Sequence, residues 1–510
     1  MKIVIVGGGT AGWMSSLYML RWAKQQKEKV EVVIVDSSKI PIIGAGEGST
    51  GIFSDFISTI LSEFGETHLS FIYKTGATLK LGIRFKDWNG INTEYLSPVE
   101  PSLSSRSNID MMMLNGTLVD KPHYSCYTGY LLEKGLSTYY HNKQTATGGN
   151  SYHFDAHKVG QYFKEIALKN NATHIDSEIK SLKRNPINGN LESVVLEDGK
   201  VLEGDLWIDC SGFGRVLINP MGGGWKSYSQ HLPVNAAIPY LYPHDEDVRP
   251  ETLAWAQKNG WMWQIPTQER YGCGYVYSDM FTTYDKAVEE LEQTTGRKIE
   301  PLRNLKFEVG RLKNFWVNNV ISVGLSSGFL EPLQATSIHT TIVQLSYITE
   351  HFLKLDTKYL NDGIAQQLFN QKMERMFDDF AELIQIHYIT QRDDSEFWKY
   401  VKNALPKFDK TKEILKICEY RSPSSLDWDQ YFGSAGWGVL GWTIMGLGLV
   451  SKDLIKRHLQ TSPIDKQNML KKEWENIMIS HKANEIKLMK NSEFLKYIKE
   501  KKIIEPLNRF

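Results

Sequence analysis

An excess of charge of either sign is missing from this chain: 59 Lys and Arg are matched by 59 Asp and Glu over 510 residues. Such a balance offers no basic footprint, so neither nucleic acid nor an anionic membrane surface is expected as a partner. Cysteine is scarce, with four residues at 126, 210, 273 and 418. None stands in C-x-x-C spacing, and no Cys/His cluster suggests a metal. Few cysteines in a large chain suit a reducing compartment. Long apolar runs are also lacking. The strongest, Trp437 to Val450, is too short and too Gly-rich to span a bilayer. The first strand signal begins at residue 2 and leaves no room for a leader peptide, so a soluble, cytoplasmic protein is expected. Repeats and low-complexity tracts are absent. At a soft prior of ~150 residues per domain, the length suits about three lobes.

What is present starts at the N-terminus. Ile3 to Val6 form the short apolar run of a buried parallel strand. Gly7, Gly9 and Gly12 then fit G-x-G-x-x-G and lead into a helical pattern from Trp13 to Trp22. The first Gly makes a tight turn, the second lets backbone approach a pyrophosphate, and the third lets helix and strand pack closely. Phosphates would sit at the positive end of the helix. A second strand, Val30 to Val35, ends in Asp36, placed to accept ribose hydroxyls. A Gly-rich βα turn without a ligand is the plain alternative, and the context of strand, helix and acid argues against it.

Further along, Pro41 to Thr50 is a Gly-dense loop with one acid, Glu47, of a kind that allows close approach to a flat ligand. Residues 52 to 67 read as a helix. Leu79, Leu81, Ile83 and Phe85 alternate with Lys80, Gly82, Arg84 and Lys86, which predicts one half-buried strand with Lys80, Arg84 and Lys86 on its polar face. On pattern alone these are solvated lysines. Residues 89 to 150 read as irregular, as a substrate loop or lid would. His153 to His157 opens a helix, with Asp155 or His153 near its N-terminus. Leu206 to Gly212 is another buried strand ending in an acid, Asp209, and a Gly turn, as in flavoproteins where a later strand returns beside the first dinucleotide half. Residues 234 to 281 predict mixed strands, with Trp261 and Trp263 on one side. The pair walls off a dry space or packs a core. A short strand at 320 to 323 precedes a long helix from near Thr336. The free N–H groups of Thr336 to Ile338 make either an anion site or an ordinarily capped helix start. From 365 onward the chain reads as mostly helical.

Pattern alone supports an FAD or NAD enzyme. The motif set resembles the flavin-dependent tryptophan halogenase family from residue 3 to roughly 400. Its W-x-W-x-I-P signature is matched by Trp261-Met-Trp-Gln-Ile-Pro266, and its G-x-G-Y-V-Y-S by Gly272 to Ser278. Its lysine segment is matched by Thr78 to Phe85, which puts the family lysine on Lys80. Ile42 to Glu47 resembles the strap linking flavin and substrate sites. Asp209 to Phe213, Gly324 to Leu333 and Arg392 to Asp394 match as well.

The resemblance implies an α/β protein with α+β elements: an FAD-binding Rossmann-like core of the flavin monooxygenase type, an interleaved β-sheet substrate region and a C-terminal helical subdomain. The FAD box would cover 1–350, with substrate-region insertions at about 89–150 and 220–310. A mostly helical subdomain over 351–510 would cover the substrate. FAD, entering as FADH2, would be held by Gly7, Gly9, Thr10, Ala11, Gly12, Trp13, Asp36, Ile42, Ile43, Ala45, Glu47 and Ile338. Thr336 and Ser337 would bind halide (chloride, bromide or iodide). Trp261 and Trp263 would separate flavin from substrate. Lys80 and Gln334 would be catalytic, directing hypohalous acid, made with O2, onto an electron-rich, indole-like aromatic.

Two departures stand out. The family's Glu-Ser-Thr-Gly becomes Gln334-Ala335-Thr336-Ser337. A carboxylate beside an ammonium holds it charged; an amide keeps a hydrogen bond but not that charge. Ser337 in place of Gly supplies its N–H only if its backbone conformation is sterically allowed. Residues 89 to 110 also lack the family's His-Pro-Phe pattern, so the resemblance carries halogenation further than it carries tryptophan. With no second Rossmann fingerprint, a separate NAD(P)H-dependent flavin reductase is the expected partner beside a small aromatic substrate. Homo-oligomerisation is left open. The rival readings are a single-component flavin monooxygenase and a flavin-binding protein without halogenase activity.

Overall fold

The central sheet is built on Ile3, Val4 and Ile5, which have no exposed surface at all. A strand buried on both faces needs neighbours on both edges and helices above and below. Lys2–Val6 accordingly pairs in parallel with Glu31–Asp36 on one side and Leu206–Asp209 on the other. Thr173–Asp176 and Val320–Ser322 extend the sheet in parallel, and Trp316–Val317 closes one edge antiparallel. The computed structural model describes the chain apart from residues 27–28, 41–43, 45, 100–105, 143–149, 244–247, 354–362, 422, 424–426, 428–436 and 502–510.

The helix Thr10–Lys24 follows the first strand directly and buries Trp13, Met14, Leu17 and Met19. Its approach depends on Gly12, where an added Cβ would overlap the carbonyl oxygen of Gly7. The expected Rossmann-like α/β core is therefore present, with the glycine turn at the carboxyl end of its central strand.

A second, seven-stranded sheet runs Leu305–Lys306, Ala236–Tyr242, Tyr271–Tyr277, Gly260–Pro266, Glu251–Ala256, Gly82–Lys86, Glu94–Pro98. A small antiparallel sheet packs against the second one, and in it Ser151–Phe154 takes Glu47–Gly48 on one edge and Thr78–Lys80 on the other. The predicted single strand through Lys80 and Arg84 is thus two strands in two sheets. The switch is at Leu81, whose N–H donates to Pro250 (2.7 Å) and whose carbonyl accepts from Val99 (2.7 Å). Lys80 consequently leaves the polar face it was expected to share.

Other expectations change too. Residues 52 to 67 are not one helix. Ile52–Thr59 gives way to a 3₁₀ turn, Leu61–Phe64, and His68–Thr75 starts a new helix capped by Thr67. The stretch 89 to 150 is far from irregular: it holds Glu94–Pro98, the helices Arg106–Leu118 and Tyr127–Lys134, and the strand Leu136–Tyr140. His153 lies on a strand; Asp155 caps the helix Ala156–Lys169. The chain after 363 is mostly helical, led by Gly363–His387, whose last turns are buried throughout. Among the described residues, no helix is long and apolar enough to cross a membrane.

Gly12→Ala forces helix and strand apart. An overpacked core of this kind costs about 1–3 kcal/mol. The expected result is a lower urea midpoint at unchanged slope.

Candidate active site

The site begins at the glycine turn. Gly7 has φ +110°, a conformation that favours glycine. Gly9 begins the helix Thr10–Lys24 without a side-chain cap, and a Cβ added there would meet nothing within 4 Å. Open space before uncapped N–H groups is what a pyrophosphate requires. The Asp36 carboxylate reaches back against Gly8 and is hydrogen-bonded by His174 Nε2 from the neighbouring strand. These residues fit the ADP portion of a dinucleotide. Thr10 and Ala11 open the same helix; Thr10 is turned towards the Ala156 carbonyl (3.4 Å). The Trp13 ring is buried beside His174, with Lys164 over its face. Ile42, Ile43 and Ala45 lie outside the described residues.

Glu47 and Gly48 form the edge strand that carries the Gly-dense loop into the small sheet. Burial, helped by Asp155, pushes the Glu47 carboxyl up to about 7. Gly48 matters through what it leaves out: a Cβ there would come within 3.0 Å of Lys80 Nζ and 3.5 Å of Thr252 Oγ1. Lys80 is 2 % exposed and, among the described residues, forms no ion pair. Burial pushes its ammonium down to about 7. His153 is fully buried beside it, held between Thr252 Oγ1 (2.8 Å) and Thr78 Oγ1 (3.4 Å). Burial, then the Lys80 charge, pushes His153 well below its usual range, which leaves it neutral. Arg84, by contrast, pairs with Glu251 and Glu94, and Lys86 sits over Trp255.

Trp261 and Trp263 are both buried on Gly260–Pro266, with ring centroids 6.3 Å apart at 58°. Trp261 Nε1 donates to Glu331 Oε2 (2.6 Å), and so does the Tyr388 hydroxyl (2.6 Å). Burial pushes Glu331 up to about 7 against the pull of these two bonds, and its Oε1 has no partner among the described residues. Sequence reading placed Glu331 and Tyr388 in noted stretches but gave neither a role. The signal was present: a lone acid between Leu330 and Pro332.

The 3₁₀ turn Pro332–Gln334 leads through Ala335 into the helix Thr336–Tyr347. Ala335 carries the left-handed conformation, φ 54° and ψ 38°, so Ser337 is an ordinary helical residue and the missing glycine brings no strain at 337. The helix has no side-chain cap, so the N–H groups around Thr336, Ser337 and Ile338 have no side-chain acceptor. Ile338 is buried. His339, one residue on, bonds Thr50 Oγ1 (2.9 Å), and the Thr50 carbonyl accepts from Ser151, opposite Lys80. This chain of bonds ties the lysine sheet to the helix start. Gln334 is buried, and its Nε2 lies 2.8 Å from His387 Nε2. Sequence reading gave no role to Thr252 or His387, which are distant from Lys80 and Gln334 along the chain, nor to His339, although it stands close after Gln334.

A glycine cradle on a parallel sheet, a buried lysine with no ion pair among the described residues, a tryptophan pair and an uncapped helix start are the parts that a flavoenzyme site would use. The fold agrees with solved halogenase structures. One is the tryptophan halogenase from Shewanella frigidimarina (TM-score 0.89, 22 % identity, 98 % of each chain). Another is the tryptophan 6-halogenase SttH from Streptomyces toxytricini (TM-score 0.86, 26 % identity, 97 % of this chain and 99 % of that one). The chain is 32 % identical over 469 residues to the tryptophan 7-halogenase RebH of Lentzea aerocolonigenes, covering 85 % of each. It is 28 % identical over 467 residues to the tryptophan 6-halogenase ThaL of Streptomyces albogriseolus, again covering 85 % of each. The tryptophan halogenase family model matches residues 2–460, and the chain belongs to that family of flavin-dependent enzymes.

Lys80 sets a stability signature. Its folded pKa, about 7, lies below the unfolded value near 10.5. Between these values the unfolded state binds the extra proton, so stability rises with pH across that window. Lys80→Met removes the penalty. Its melting temperature should exceed the parent's most at pH 7 and below, with the gap closing towards pH 10.5. A second pair separates binding from folding. Gly9→Ala, which meets no neighbour, should keep the parent's unfolding midpoint and lose FAD affinity, whereas Gly12→Ala loses both.

Proposed function

We propose that this chain is an FADH2- and O2-dependent halogenase that directs hypohalous acid through Lys80 onto an electron-rich, indole-like aromatic. The observation that carries this reading is the buried Lys80, without a counter-charge among the described residues and held beside Gly48 and Thr252. A monooxygenase has no use for such an amine. Reduced FAD, with O2, supplies the oxidising equivalent when bound.

The chain's own residues do the rest. Halide is held at the start of the helix Thr336–Tyr347 by the N–H groups around Thr336 and Ser337, where the helix dipole favours an anion. Its two-electron oxidation gives hypohalous acid. The Trp261/Trp263 wall, fixed from behind by Glu331, keeps the aromatic away from the flavin side, so oxygen is not inserted directly. Lys80 then hydrogen-bonds the hypohalous acid, or takes its halogen as an N–X bond with release of water. A pKa near 7 leaves enough neutral amine for the second route. Attack by the aromatic carbon breaks the O–X or N–X bond, and loss of the ring proton restores aromaticity. The gain comes from aiming a diffusible oxidant at one carbon. Reduced flavin comes from a separate NAD(P)H-dependent reductase; measurable NADPH consumption by the chain alone would contradict that part.

The test supplies FADH2 from an added reductase, with each halide and a panel of indoles and phenols, read by mass spectrometry. Parent protein should give halogenated product. Lys80→Met should still oxidise FADH2 but lose product by at least about 10²-fold, within the range of positioned acid–base or nucleophilic groups. Full retained halogenation by that variant overturns the role of Lys80.

A further inference from the structure

Gly8 is the one glycine of the turn that the fingerprint Gly7, Gly9 and Gly12 does not require. An added Cβ there would overlap Oδ2 of Asp36, so the carboxylate lies directly over the turn. His174 holds it there. The strand Thr173–Asp176 runs parallel to Glu31–Asp36, with His174 opposite Ile34. Side chains two apart on a strand share a face, so the imidazole stands on the same side of the sheet as Asp36. Its Nε2 is hydrogen-bonded to Asp36 Oδ1. A carboxylate only accepts, so Nε2 carries the hydrogen. No described residue donates to Oδ2. The imidazole is held in turn. The Trp13 ring lies against it, with centroids 5.5 Å apart at 60°. Trp13 is 2 % exposed, so its ring offers almost no surface to a ligand. The two strands are also tied at their ends: Ser177 N–H donates to the Asp36 carbonyl (2.8 Å), and Ser38 N–H donates to Asp176 Oδ1 (2.9 Å).

We propose that His174 is a positioning residue for the cofactor: it pins one oxygen of Asp36 so that the other meets a ribose hydroxyl in the ADP half of FAD. The inference rests on the reading of the glycine turn as an FAD site, and adds to it the residue that sets the acid in place. An aspartate side chain at a strand end has three staggered χ1 positions, and hydration favours those that face water. The imidazole N–H removes that choice through a charge-assisted bond. One carboxylate oxygen is then engaged by the protein and one is left for the ligand. Trp13 acts through His174 rather than through contact with the flavin, and Gly8 supplies the room that the pinned carboxylate needs. Residues from three segments of the chain thus serve one hydrogen bond to the ribose.

The experiment compares ADP with 2′,3′-dideoxy-ADP, which lacks both ribose hydroxyls, by calorimetry on the flavin-free protein, with folding followed by the urea midpoint. Parent protein should bind ADP about tenfold or more tightly than the dideoxy nucleotide, as a hydrogen bond to a charged group requires. In His174→Phe, which keeps a ring against Trp13 but has no donor, that ratio should fall to near one. Gly8→Ala, which crowds the carboxylate out, should give the same collapse without touching the imidazole. His174→Gln, whose amide can still donate, should keep part of the ratio. The diphosphate is common to both nucleotides, so a merely structural role would weaken both alike and leave the ratio where it was. FAD affinity, read by flavin fluorescence, should fall in His174→Phe by the same factor as ADP affinity. An unchanged ratio in either folded variant, His174→Phe or Gly8→Ala, overturns the inference and leaves the FAD reading standing. A parent protein that binds neither FAD nor ADP overturns that reading, and the inference with it.

Discussion

A lysine taken out of water without a partner is the constraint on which the site depends. Desolvating an ammonium is expensive, and a buried one usually finds a carboxylate or gives up its proton. Lys80 finds none among the described residues, and its ammonium is pushed down to about 7. The groups around it answer in kind. His153 is neutral, Thr252 and Thr78 are hydroxyls, and Gly48 offers only backbone. Glu47 on the strap and Glu331 behind the tryptophans are themselves pushed up to about 7. The interior is thus poor in fixed charge. An anion bound there, as proposed, would meet little competition from carboxylates, and helix N–H dipoles would count for more than they would in water.

The fold puts this amine where it is by changing sheets. Thr78–Lys80 belongs to the small sheet with the strap, and two residues later the chain is in the seven-stranded sheet with Gly260–Pro266. Lys80 therefore stands at the seam between the element that follows the nucleotide cradle and the element that carries the tryptophan wall. Ser151, Thr50 and His339 bridge the same seam to the helix Thr336–Tyr347. Three parts of the candidate site meet across one junction, joined by hydrogen bonds between segments distant in the chain.

That junction marks the boundary of what the sequence made legible. The glycine turn, its flanking strands and the buried strand Leu206–Asp209 are local: a few adjacent residues set the period and the turn, and the structure agrees. The alternation through Lys80 and Arg84 was also real, but Leu81 is captured by Pro250 and Val99, partners distant in sequence, and the face changes between residues 80 and 82. Residues 106–118 form a helix although four consecutive apolar residues, Met111 to Leu114, blur the helical period in that stretch. The partners of Asp36, Trp261 and Gln334 are His174, Glu331 and His387, all 53 or more residues away, and no spacing rule reaches so far.

The turn from Pro332 to Ser337 shows how two changes from the family pattern can hold together. A glycine at 337 would be needed if the chain were left-handed there, but the left-handed residue is Ala335, at a cost of about 1–2 kcal/mol for an L-residue. That cost is borne one residue after Gln334 and one before the helix starts. The same kink ends the 3₁₀ turn that carries the amide and leaves the first helical N–H groups without a cap. The placement of Gln334 and of the N–H groups around Thr336 is therefore set by one backbone feature. Relaxing Ala335 would move Gln334 and the helix start together, so the strained alanine couples the two positions at which the turn departs from the family pattern.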